Sequence, residues 1–126
     1  ESLIDYQQFC GLGGAPEPEA FTRIGLQEAS QRLDDGWKPF VLDVRKEHEA
    51  TIVSFDFVDQ RQEHGRVDEI AEQLPRDRDI LIHCKMGGRS AKACAALAAL
   101  GFTRLYNLEG GIVGWAKEID PKLATY

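Results

Sequence analysis

Two short apolar runs restrict the fold of this chain more than any other feature. "PFVLDV" (39–44) and "DILIHC" (79–84) stay apolar almost to their last residues. Runs of this kind suit strands buried on both faces, as in a parallel sheet covered by helices. Each run ends in chemistry rather than in a plain turn. Asp43 and Arg45 close the first, and Cys84 closes the second.

The stretches around them fit that frame. "FTRIG" (21–25) reads as a short strand, and "LQEASQRLDDG" (26–36) as a helix with Leu26, Ala29 and Leu33 on one face and Gly36 as its C-cap. "VSFDFVD" (53–59) alternates and reads as a strand. "RVDEIAEQL" (66–74) is an amphipathic helix stopped by Pro75. "RSAKACAALAAL" (89–100) is a helix ended by Gly101, its alanines permitting close approach to a sheet. "RLYNL" (104–108) is a strand, and "GGIVGWAKEI" (110–119) a tight turn at Gly110 and Gly111 feeding a last helix, with Trp115 as a core anchor. Strands alternating with helices predict an α/β fold with a mostly parallel sheet of about four to five strands.

The length of 126 residues suits one domain with a proper core. Residues 1–20 read as a linker or tail, because "GLGGAPEPEA" concentrates glycine, proline and acid. The domain proper is expected over 21–126. A chain that starts at Glu1 rather than at Met, with no basic start or apolar stretch, reads as a fragment without a signal peptide. No apolar run approaches the ~20 residues a membrane span needs.

A net charge of −6 and no Lys/Arg stripe argue against nucleic acid as a partner. The charge is uneven. Residues 1–79 carry 9 basic and 18 acidic side chains, whereas residues 80–126 carry 6 basic and 3 acidic. The surroundings of Cys84 are therefore more positive than the total suggests. Three cysteines, Cys10, Cys84 and Cys94, do not form a disulfide framework, and none sits in a C-x-x-C pair. His48, His64 and His83 are not at metal-ligand spacing with them. A reducing cytoplasm is the expected compartment, and no metal is expected.

"HCKMGGRS" (83–90) is where the chemistry concentrates. In open parallel sheets, ligands bind beyond the carboxyl ends of the strands, and Cys84 is at such an end. Gly87 and Gly88 let the backbone curl and turn its N–H groups inward. The next helix, starting near Arg89 or Ser90, adds free N–H groups and its positive dipole end. The result is an anion cradle with a sulfur at its base, an environment that lowers a thiol pKa. Arg89 can offer two parallel N–H donors to an oxyanion. A lone cysteine at a strand end is otherwise a packing residue; Lys85, the two glycines and Arg89 make Cys84 a nucleophile.

"HC" followed by "RS" also resembles the protein tyrosine phosphatase signature, in which five residues separate Cys from Arg. Here four do: Lys85, Met86, Gly87 and Gly88. The tighter ring suits one extra sulfur atom better than a phosphoryl group. A phosphatase or arsenate reductase, or a non-catalytic docking module, are the competing readings.

Together "FVLDVR" (40–45), "ILIHCKMGGRSAKACAALAALGF" (80–102) and "LYNLEGGIVGWAKEID" (105–120) resemble a rhodanese domain of the single-domain sulfurtransferase type. The resemblance implies a three-layer rhodanese-like fold. One segment departs from the family pattern: residues 50–65 read "ATIVSFDFVDQRQEHG" where a "GHIPGA"-like element is usual. "LIDYQQFCG" (3–11) is similar to the end of the adenylating domain in fused molybdopterin/thiamine-type adenylyltransferase–sulfurtransferases, which carry a rhodanese domain at the C-terminus.

The resemblance implies a relay. Cys84 attacks the outer sulfur of thiosulfate or of a desulfurase persulfide and carries it as a persulfide. Loop N–H groups from Lys85 to Arg89 stabilise the charged sulfur. The acceptor is the adenylated C-terminus of a ubiquitin-like sulfur-carrier protein. ATP belongs to the adenylating domain, and this domain needs no cofactor. Asp43 and Arg45 are implied to be structural, Asp43 bonding loop backbone and Arg45 in an ion pair, with Ser90 supporting the loop.

Several other residues have plainer roles. Lys85 either attracts an anionic donor or is simply solvated, and Met86 offers an apolar lip. His83 should point away from Cys84 by strand alternation and be a satisfied core histidine. His48 and His64 are expected at the surface. Cys94 is expected as buried helix packing rather than a resolving thiol. Cys10 could pair with Cys84 only if the tail folds back.

Overall fold

In a computed structural model of the chain, which describes residues 21–124, the apolar runs are neighbouring central strands. The elements are β1 (Thr22–Ile24), α1 (Leu26–Asp34), β2 (Phe40–Asp43), α2 (Glu47–Ile52), β3 (Gln60–Arg61), a 3-10 run (His64–Gln73), β4 (Ile80–His83), α3 (Gly88–Ala99), β5 (Leu105–Leu108) and α4 (Gly111–Glu118). The sheet has five strands in the order β1-β5-β4-β2-β3, and every pair is parallel. Val41 is in register with Leu81, and Leu81 with Tyr106.

Because side chains alternate along a strand, β2 and β4 feed two cores at once. Leu42, Val44, Ile80 and Ile82 face α3 and the 3-10 run, where Cys94 and Leu97 meet them. Val41 and Leu81 face the opposite layer, with Leu26, Ala29, Ile112 and Trp115. The architecture is the expected three-layer α/β arrangement. α1 and α4 approach closely: a Cβ on Gly114 would lie 2.7 Å from Leu26 Cδ1. Among the described residues, no helix is long and apolar enough to cross a membrane.

Three expectations change. The alternating stretch 53–59 is a loop, and pairing with β2 begins only at Gln60. Its alternation serves packing: Phe55 stacks on Phe57 at 4.7 Å and meets Trp115 at 5.3 Å. At its end Asp59 meets Val41 twice, its N–H donating to the Val41 carbonyl at 2.9 Å and its Oδ2 accepting the Val41 N–H at 2.8 Å. The 66–74 helix is a 3-10 run broken at Arg66 (φ −129°, ψ 20°), although Val67, Ile70 and Ala71 face the core as its periodicity requires.

The third change is α2, which the sequence reading lacks. It is six residues long with a single buried residue, Glu49, so it shows no apolar periodicity. What holds it is Arg45. The guanidinium donates to the Val53 carbonyl, just past the helix end, at 2.8 Å and to the Glu49 carbonyl at 3.5 Å, the latter shared with the Val53 N–H. At the other end the Lys46 N–H donates to Glu49 Oε1 at 3.2 Å.

Candidate active site

Cys84 follows β4 directly and is 1% exposed. Gly87, with φ 111°, turns the backbone back so that its own N–H donates to Cys84 Sγ at 3.0 Å. The Ser90 hydroxyl reaches the same sulfur at 3.4 Å from the first turn of α3. Burial raises the thiol pKa. Donation from the Ser90 hydroxyl and from the N–H groups of Ser90, Gly87 and Met86 outweighs it, so the pKa lies below its ordinary value. Of the loop residues expected to turn N–H groups inward, Met86 and Gly87 do so toward the sulfur, joined by Ser90.

The loop can aim its N–H groups inward because its carbonyls are held from outside. The Ile112 N–H donates to the Cys84 carbonyl at 3.0 Å, and the Val113 N–H to the Lys85 carbonyl at 3.1 Å. The otherwise open N–H groups at the start of α4 thus bind the loop's carbonyl side. Such an approach leaves no room for a side chain at the turn. Gly111 has φ 60°, and a Cβ there would lie 2.3 Å from the Lys85 carbonyl oxygen. Gly110 and Gly111 are therefore the tight turn the sequence predicts, with the added task of shaping the loop.

Arg89 is placed differently from the sequence expectation. Its two terminal nitrogens donate to Glu49, Nη1 to Oε1 at 2.6 Å and Nη2 to Oε2 at 2.8 Å. The fork expected to face an oxyanion is engaged by a carboxylate that is 9% exposed. Glu49 gave no sequence signal, since it lies 40 positions before Arg89 in a short stretch with no apolar periodicity.

Asp43 and Arg45 form a buried ion pair, Arg45 Nη2 to Asp43 Oδ2 at 2.7 Å, with Arg45 Nε also donating to both carboxylate oxygens. Asp43 Oδ1 accepts the Arg45 N–H at 2.9 Å, the backbone contact expected of it. Burial raises the Asp43 pKa, and Arg45 together with His83 brings it below the ordinary carboxylate value. The pair does not touch the sulfur; it braces α2, and α2 carries Glu49 to Arg89.

His83 is buried on the face opposite Cys84, against Phe55 at 4.5 Å. It is not the satisfied histidine expected: neither ring nitrogen has a hydrogen-bond partner among the described residues. Burial pushes its pKa down to about 4. Cys94 is fully buried in α3 and burial raises its pKa, as packing requires. Met86 is 69% exposed, while Lys85 is half-buried. His48 is exposed, but His64 is half-buried. Trp115 is buried. Cys10 lies outside the described residues.

Asn107 was missed altogether. Buried on β5, it accepts a hydrogen bond from the Ser90 hydroxyl at Oδ1 and donates through Nδ2 to the Gly87 carbonyl at 3.3 Å and to Glu109. A polar residue inside the apolar "RLYNL" strand was the available signal.

Comparison with known proteins agrees with this geometry. The rhodanese-like domain model matches residues 25–118. The chain is 38% identical over 128 residues to the probable adenylyltransferase/sulfurtransferase MoeZ of Mycobacterium tuberculosis, covering 98% of this chain and 32% of that protein. The chain thus spans about a third of that relative's length. It is 36% identical over 101 residues to a sulfurtransferase of Allochromatium vinosum, covering 80% of this chain and 94% of that protein. A rhodanese-related protein from Thermoplasma volcanium superposes with a TM-score of 0.70 at 27% identity, covering 83% of this chain and 99% of that one. With the parallel sheet, the cysteine-bearing loop and these relatives in agreement, the chain belongs to the rhodanese-like domain family.

Proposed function

We propose that the domain is a sulfurtransferase that carries sulfane sulfur on Cys84. The observation that carries this reading is the donor set on one buried sulfur: the Gly87 N–H at 3.0 Å and the Ser90 hydroxyl at 3.4 Å, inside a loop with four residues between Cys84 and Arg89. The Cys84 thiolate attacks the outer sulfur of thiosulfate, a new S–S bond forms, and sulfite leaves with the electron pair of the old one. The terminal sulfur of the persulfide carries the charge, and the N–H groups of the loop, those of Met86, Gly87 and Ser90 among them, stabilise it. An acceptor nucleophile then takes that sulfur and returns the electron pair to Cys84.

The same reading extends to partners. Relatives named adenylyltransferase/sulfurtransferase support a place for this domain beside an adenylating domain, with a protein persulfide as donor and a ubiquitin-like sulfur carrier as acceptor in molybdopterin- or thiamine-type biosynthesis. Residues 1–20 then link the two domains. A reducing compartment such as the cytoplasm keeps Cys84 reduced between turnovers.

Incubation with thiosulfate should add the mass of one sulfur, about 32 Da, to Cys84, and cyanide should remove it as thiocyanate. Cys84→Ala should abolish both. Absence of the adduct in the wild type, or its persistence in Cys84→Ala, would exclude the mechanism. Hydrolysis of aryl phosphates in place of sulfur transfer would point to the phosphatase reading.

A further inference from the structure

The Ser90 hydroxyl has one proton and three acceptors. Its Oγ lies 3.4 Å from Cys84 Sγ and 3.1 Å from the Gly87 carbonyl, and it also bonds to Asn107 Oδ1. A hydroxyl donates only one hydrogen bond at a time. The amide orientation of Asn107 follows from its surroundings: Nδ2 faces two acceptors, the Gly87 carbonyl at 3.3 Å and a Glu109 carboxylate oxygen. Oδ1 is therefore the end turned to Ser90, and it can only accept. Ser90 and Asn107 are both fully buried, and among the described residues their hydrogen bonds are to one another, the loop and Glu109.

We propose that Ser90 is a switchable donor, its proton shared between Cys84 Sγ and Asn107 Oδ1 according to the charge on the sulfur, with Asn107 as the positioning residue that holds the proton when the sulfur is uncharged. In the thiolate the O–H points at Sγ. In the thiol, and at the inner sulfur of a persulfide, little charge attracts it, and it returns to Asn107. On discharge the acceptor attacks the outer sulfur, the S–S bond breaks, and the electron pair returns to Sγ as the O–H swings back to meet it. In either state the buried hydroxyl keeps an acceptor for its proton, so this donor is never left unsatisfied, which would be costly for a buried polar group. This deepens the sulfur-transfer reading, and its catalytic meaning rests on that reading.

The measurement does not rest on it. Titrating Cys84 alkylation by iodoacetamide against pH, with the modified peptide mapped, reads the thiolate whether or not sulfur is transferred. Ser90→Ala should cut the thiolate fraction at a pH below the midpoint by about tenfold, the worth of one hydrogen bond to a charged group. Asn107→Leu, close in shape, removes the competing acceptor and should raise that fraction about two- to threefold. In the Ser90→Ala background the same change should do nothing. Asn107→Asp, isosteric and a stronger acceptor, supplies the reverse arm should Asn107→Leu not fold: it should lower the fraction more with Ser90 present than in the Ser90→Ala background. A residue that only braces the loop would instead lower the fraction on Asn107→Leu, or shift it equally in both backgrounds; either result overturns the proposal. Loss of sulfur transfer with this titration pattern intact would refute the enzymatic reading alone.

Discussion

Replacing Gly111 by alanine tests the claim that α4 shapes the sulfur site from outside. The new Cβ would lie 2.3 Å from the Lys85 carbonyl oxygen, 2.5 Å from its carbon and 2.6 Å from the Cys84 carbonyl oxygen. All three are backbone atoms, so either the loop or the helix start must move. Residue 111 also sits at φ 60°, where a side chain costs about 1–2 kcal/mol. The displacement breaks the Ile112 and Val113 N–H bonds to the Cys84 and Lys85 carbonyls, each worth about 1 kcal/mol net and more if the acceptor stays buried and unpaired. The sum is about 3–5 kcal/mol.

Gly88 is the matched control. It is helical, and nothing among the described residues lies within 4 Å of a Cβ placed there. Urea unfolding of Gly111→Ala and Gly88→Ala should separate them by at least about 3 kcal/mol, with Gly88→Ala equal to or above the wild type. Cys84 alkylation should slow at low pH in Gly111→Ala, because the N–H groups no longer converge on the sulfur. Wild-type stability together with wild-type thiol reactivity in Gly111→Ala would refute the reasoning.

Other perturbations probe the supports around the loop. His83 should make stability depend on pH: unfolded, it binds its proton near about 6.5, and folded only near about 4. Its contribution is therefore full above pH ~6.5 and falls as pH drops toward ~4, by about 3 kcal/mol in all, and His83→Leu should flatten that slope in urea titrations. Glu49→Gln weakens the grip on Arg89, costing about 1–3 kcal/mol of stability while lowering the KM for thiosulfate, because a cation beside the loop is less neutralised. Arg89→Ala should raise that KM. Arg45→Met leaves Asp43 buried without its partner and should cost about 3–5 kcal/mol, with proteolysis near α2 as an independent readout.

The glycines, the apolar runs and the cysteine carried most of the fold into view before any coordinates, because each records a local requirement. Strands buried on both faces must be apolar throughout, so β2 and β4 were readable, and with them the parallel sheet. A backbone turned back on a thiolate must have glycine near it, so the loop from Cys84 to Ser90 was readable too. Elements without an apolar periodicity or a ladder of their own were not. α2 has no apolar stripe, and it is braced by the Arg45 guanidinium at the Glu49 and Val53 carbonyls. The alternation of Val53, Phe55 and Phe57 describes contact with Trp115 and His83, not a hydrogen-bonded ladder.

What the sequence by itself determined is thus the class of sheet and the glycine-bearing loop that follows Cys84, each set by residues within a few positions of one another. Only the tertiary structure decided who the partners are. Arg89 meets Glu49 across 40 positions, Asn107 reaches Ser90 across 17, and α4 closes on the loop from the far end of the chain. Charge and hydrogen bonding act over a few ångströms of space. Separation along the chain says nothing about which of these groups will meet, until the parallel sheet gathers the ends of β2, β4 and β5 on one edge.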